Sequence, residues 1–127
     1  MPWTYSFDPR SEAILITATG VLTRSEVFFQ YAAMQADPRF DRRSRVLADY
    51  TQTTRIDMTA LEVDELARFA QFATDTKRAL LVAPGVVAGI TAFFAAAYRS
   101  GSVKTFTDRS AALRWLNEGV APGKALT

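Results

Sequence analysis

Apolar and polar residues alternate from Trp3 to Phe7, the period of an edge strand. Asp8-Pro9-Arg10-Ser11 supplies turn chemistry, and Ala13 to Thr19 (Ala-Ile-Leu-Ile-Thr-Ala-Thr) predicts a second strand ended by Gly20, so the two pair as a hairpin. The period then changes. Thr23-Arg-Ser-Glu26 is a capping box opening a helix to about Ala36, with Val27, Tyr31 and Met34 on one face and Asp37-Pro38 as its stop. Val46 to Tyr50 is a short apolar run, read as a third strand followed by a polar loop. Thr59-Ala-Leu-Glu62 is a second capping box, opening a helix to about Ala73 with Leu66, Phe69, Ala70 and Ala73 inward. Ala79 to Ala83 predicts a fourth strand, and Pro84-Gly85 leads into a helix ended by Gly101. Val103 to Phe106 predicts a fifth strand. Asp108 caps a last helix, Arg109 to Glu118, closed by Gly119.

The predicted fold class is therefore α/β, with a mixed, mainly parallel five-stranded sheet and four helices in the order β-β-α-β-α-β-α-β-α. Residues 1–119 are expected to form a single domain, and 120–127 a flexible tail. A length of 127 residues suits one domain with a core large enough to fold without a covalent staple.

Composition narrows the chemistry. There is no cysteine, which removes disulfides, thiol catalysis and thiolate metal sites, and no histidine, which removes the commonest general base and metal ligand. No cofactor, metal site or catalytic residue is expected. The formal charge of +2 comes from 15 basic and 13 acidic residues scattered along the chain, unlike the concentrated stripe of a nucleic-acid binder. Met1 to Phe7 lacks a basic segment followed by an apolar run, so no secretory signal is expected and the location is read as cytoplasmic. Ala79 to Tyr98 is apolar enough to raise a membrane span, but Pro84-Gly85 divides it into a strand, a turn and a helix.

The element order, with the phrases Gly20-Val-Leu-Thr-Arg-Ser-Glu26, Val46-Leu-Ala-Asp49 and Phe106-Thr-Asp-Arg-Ser-Ala-Ala-Leu-Arg-Trp-Leu116, resembles the STAS superfamily, in particular its SpoIIAA-like branch. The resemblance runs from about Thr4 to Leu116. In STAS anti-sigma-factor antagonists an Asp-Ser-Ser-Gly-Leu phrase opens the second helix, and phosphorylation of its first serine controls partner binding. The matching phrase here is Asp57-Met58-Thr59-Ala60-Leu61, with Met58 at the phospho-acceptor position and Thr59 one residue late. The resemblance implies a regulatory, partner-binding domain that lacks the serine switch.

Two regions are candidate contact surfaces. One is the strand-to-helix junction, with Asp49, Asp57, Met58 and Thr59. There a helix N-terminus favours an anion or acidic partner, although a capping box alone also accounts for Thr59, and a loop cap for Asp49. The other is the helix after Gly85. Its positions Ala88, Ala92, Ala95, Ala96 and Arg99 carry hardly any charge, which suits self-association as a homodimer, a protein partner or a small apolar ligand. Arg39, Arg42, Arg43 and Arg45 form a further basic cluster, either gripping phosphates or an acidic partner, or paired with Asp37 and Asp41. Three functions follow. The first is a non-enzymatic protein-interaction domain. The second is a carrier of a lipid-like apolar ligand, to which a similarity of the STAS sheet to Sec14-type lipid-transfer domains also points. The third is a small carboxylate enzyme, which needs Asp49 and Asp57 to converge.

Overall fold

The computed structural model describes residues 3–70, 72–73, 75–85, 89 and 102–127. Its elements are β1 (Trp3–Phe7), β2 (Ile14–Thr23), α1 (Arg24–Ala36), β3 (Val46–Asp57), α2 (Ala60–Phe69), β4 (Arg78–Leu81), β5 (Val103–Phe106), α3 (Arg109–Leu116) and a 3-10 turn, Pro122–Lys124. The strands form one sheet in the order β1-β2-β3-β4-β5. β1 pairs with β2 antiparallel, and every later pair is parallel. The mixed, mainly parallel sheet is as predicted. The four-helix count is not matched: three α-helices stand among the described residues, and the helix expected between Gly85 and Gly101 falls almost wholly outside them.

Alternation along the strands sends side chains to two cores. Trp3, Ile14, Ile16, Ala18, Val46, Ala48, Leu80 and Val103 pack under α1 and α2, meeting Val27, Tyr31, Met34 and Leu66. Leu47 and Ala79 point the other way and pack with Ala112 and Leu116 of α3. Each fully buried valine, leucine, isoleucine or methionine among them is worth roughly 1.5–3 kcal/mol.

β2 and β3 run further than their apolar runs suggest. Gly20, expected to end β2, instead takes φ +68° inside it, a conformation that favours glycine. Register shifts between Thr17 and Thr19 and between Gly20 and Val21 each place an extra residue on β3. β2 then continues to Thr23, and Thr51 to Asp57, expected as a polar loop, is strand paired to it. α2 stops at Phe69 and not Ala73, because the Ala73 amide donates to the Arg42 carbonyl (2.9 Å) instead of continuing the helix.

The tail expected to be loose is packed. Leu126 is 4% exposed and belongs to the second core. The Asn117 side chain donates to the Leu126 carbonyl (2.9 Å) and accepts its amide (2.8 Å). Lys124 pairs with Glu12 at 2.9 Å. The Asn117–Leu126 bonds span nine residues and the Lys124–Glu12 pair joins the two ends of the chain, so no helix or strand period announces them.

Candidate functional site

The parallel strands β2 and β3 end side by side, with Thr23 opposite Asp57, and each feeds a helix. Two helix N-termini therefore emerge next to each other. The Thr23 hydroxyl accepts the Glu26 amide at 3.5 Å, but the return bond expected of Glu26 is not made among the described residues; its Oε2 is buried without a hydrogen-bond partner. Thr59 makes the full capping box. Its hydroxyl accepts the Glu62 amide (3.2 Å), and its amide donates to the Glu62 carboxylate (2.9 Å). That amide, and after it the Thr59 hydroxyl and nearby Arg24, hold the Glu62 carboxyl below its ordinary pKa, so it stays ionised.

Arg24 ties the two helix starts together. Its guanidinium donates to Glu65 at 3.2 and 3.0 Å, lies 3.5 Å from Glu62 and sits 4.4 Å from the centre of the Phe28 ring. Phe28 in turn meets Phe69 of α2 at 5.3 Å. Met58 is half-buried and packs against the first core. Asp57 and Thr59 are exposed. Leu61, in the first turn of α2, is 80% exposed, and sequence pattern alone did not single it out as a surface residue.

The structure separates the two carboxylates of the enzyme reading. Asp49 and Asp57 lie on one strand, eight residues and so roughly 25 Å apart, too far to share a substrate or an ion. Asp49 sits at the first register shift. Its carboxylate accepts the Thr51 amide (2.9 Å) and hydroxyl (2.6 Å), satisfying backbone that the bulge leaves outside the ladder.

The basic cluster is divided among separate tasks. Arg45 is half-buried. It donates to the carbonyls of Leu116 (3.1 Å), Ser11 (3.3 Å) and Lys124 (2.7 Å) and to Asn117 Oδ1 (2.9 Å). Burial lowers its pKa from the ordinary arginine value, with Asp8 opposing. Arg39 is clamped by Asp37 at 3.1 and 2.9 Å and stacks 4.6 Å from the Phe7 ring centre. Those bonds hold the Asp37 carboxyl at about 2. Arg43 donates its amide to Asp41 at 2.9 Å. Arg42 gives its carbonyl to Ala73 and Thr76, and its side chain is exposed. Beside it lies an open cleft of about 800 Å³ lined by Pro38, Arg39, Phe40, Asp41, Arg42 and Phe72. Ala88, Ala92, Ala95, Ala96 and Arg99 lie outside the described residues.

Neither a protein-family model nor a curated protein sequence matches the chain. A solved structure does. It is an uncharacterized protein of the DUF3478 family from Shewanella loihica PV-4, described as having a SpoIIAA-like fold. The similarity covers 90% of this chain and 91% of that one, with a TM-score of 0.59 and 18% identity. The fold is SpoIIAA-like. At that identity the likeness speaks to architecture alone, and it agrees with the sequence resemblance. At the junction of β3 and α2, Met58 packs against the first core. No helix among the described residues is long and apolar enough to cross a membrane.

Proposed function

We propose that this SpoIIAA-like domain is a non-enzymatic, protein-binding module of the cytoplasm that docks its partner at the paired starts of α1 and α2. The observation that carries the proposal is Leu61: a large apolar side chain, 80% exposed, in the first turn of a helix whose other groups are already engaged. Thr59 and Glu62 satisfy each other, Glu65 holds Arg24, and Asp64 holds Arg68 at 2.8 Å. The rim is thus polar, its carboxylates held by Arg24, Arg68 and the Thr59 amide, and the projecting group is apolar. A partner protein that offers an apolar pocket with polar edges suits such a surface.

Docking here works without a phosphoswitch. Methionine accepts no phosphate at the position of the serine switch, and the Thr59 hydroxyl one residue later caps the helix by accepting the Glu62 amide. Binding would be governed by partner availability. The separation of Asp49 from Asp57 removes the geometry on which the carboxylate-enzyme alternative depended. Self-association through Ala88, Ala92, Ala95, Ala96 and Arg99 is a separate proposal, checked by light scattering of Ala92→Arg: a dimer converted to a monomer supports it, and an unchanged mass or a monomeric wild type rejects it.

The test of docking is quantitative affinity capture from the source cells with the wild type and Leu61→Asp side by side. A protein recovered by the first and lost with the second supports the site, and identical recoveries reject it.

A further inference from the structure

The cleft beside Arg42 lies apart from the junction, and its chemistry differs. Phe40 and Phe72 meet edge to face, with ring centres 5.5 Å apart at 62°. The Arg78 guanidinium, itself buried, sits 4.6 Å from the centre of the Phe72 ring. Arg39 and Arg42 line the opening with Asp41 and Pro38.

The walls are fixed before any ligand arrives. The Phe40 amide donates to the Asp37 carbonyl (2.9 Å), and Asp37 locks both the amide (2.9 Å) and the guanidinium of Arg39. The Arg42 carbonyl accepts from the Ala73 amide (2.9 Å) and the Thr76 hydroxyl (2.8 Å), which binds this loop to the segment carrying Phe72. A preformed site loses less entropy on binding than one that must be ordered.

Charge decides what fits. The charged side chains that line the opening are those of Arg39, Asp41 and Arg42, and Asp37 pairs with Arg39 from beside it. Arg39 is spent on Asp37, whereas the Arg42 side chain makes no ion pair or hydrogen bond among the described residues. Arg42 therefore offers one uncommitted guanidinium, an exposed planar fork suited to a carboxylate or sulfonate. Next to it are aromatic surfaces that favour a flat apolar body. A multiply charged phosphate would meet that single guanidinium and face Asp41.

We infer that the cleft between Phe40, Arg42 and Phe72 is a binding site for a small aromatic monoanion, with the ring against the two phenylalanines and the acid group on Arg42. This site is independent of partner docking at Leu61.

The experiment is a nitrogen-15 NMR titration of the whole chain with 1-naphthoate, with the neutral 1-naphthalenemethanol as the matched control. Naphthoate is expected to shift the amides of residues 39–42 and Phe72 with submillimolar affinity. The alcohol should bind about tenfold more weakly, and Arg42→Gln should weaken naphthoate by a similar factor while leaving the alcohol unchanged. Phe72→Leu, which keeps an apolar side chain against Arg78, should weaken both probes. Equal affinity for acid and alcohol, shifts confined to other regions, or no saturation by about 5 mM would overturn the inference.

Discussion

Asn117 holds Leu126 as one antiparallel strand holds another. Its side-chain amide donates to the Leu126 carbonyl at 2.9 Å and accepts the Leu126 amide at 2.8 Å. The pair places the Leu126 side chain among Ala13, Leu47, Ala79, Ala112 and Leu116. The tail is therefore part of the second core. Leu126→Ala should cost about 2–3 kcal/mol in urea unfolding, as large-to-small changes in a core do. An unchanged midpoint would mean that the tail contributes nothing to stability.

Arg45 reaches the same region from the other side. Its guanidinium joins the β1–β2 turn at Ser11, the end of α3 at Leu116 and Asn117, and the tail at Lys124. Arg45→Met keeps much of the stem and removes these donors, leaving half-buried acceptors without them. A loss of about 2–4 kcal/mol is expected. Because Arg45 and Leu126 act on one tail, the double variant should lose less than the sum of the two. Strict additivity would show that they are energetically separate.

Thr59 is a structural cap in this account. Thr59→Ala should lower stability by about 1 kcal/mol, whereas Thr59→Asp, an equally good N-cap with a charge favoured at a helix start, should restore most of it. The comparison is made by thermal unfolding. If Thr59→Asp unfolds as readily as Thr59→Ala, capping is not what the threonine supplies.

Asp37 gives the fold an acid-sensitive contact. Hydrogen bonds from the Arg39 side chain and amide, with a weaker one from Tyr5 at 3.4 Å, hold its carboxyl at about 2, below its unfolded value. A depressed folded-state pKa contributes stability above the unfolded value and loses it as pH falls through the folded one. The wild type should therefore lose its advantage over Asp37→Asn between the ordinary carboxylate range and pH of about 2. Denaturant midpoints measured across that window check this, and a gap between the two proteins that stays constant with pH would contradict it.

Much of this architecture was legible in the chain, because caps and apolar runs are local signals. Thr59 and Glu62 stand three residues apart, and the structure closes the box they spell. The second half of β3 was hidden: Thr51-Gln-Thr-Thr-Arg55 has no apolar alternation, and its partner strand passes a glycine that looked like a stop. The roles of Arg45 and Leu126 were hidden for another reason. Their partners include residues many positions away, so only the folded chain brings them together. Leu61 read as an ordinary helical leucine, and its exposure depends on which face α2 turns to the sheet.

The central claim is that Leu61 anchors a protein partner. Leu61→Asp places an acidic residue in the first turn of α2, where the helix dipole favours it, so the variant should keep wild-type stability while losing the apolar anchor. Phe29→Asp, which alters the exposed aromatic side chain of α1, is the matched surface control. Parallel affinity capture with all three proteins is the direct measurement. The account predicts a protein whose recovery falls about tenfold or more with Leu61→Asp and is kept with Phe29→Asp, the size of effect expected of a central apolar contact. Equal recovery with wild type and Leu61→Asp would contradict it.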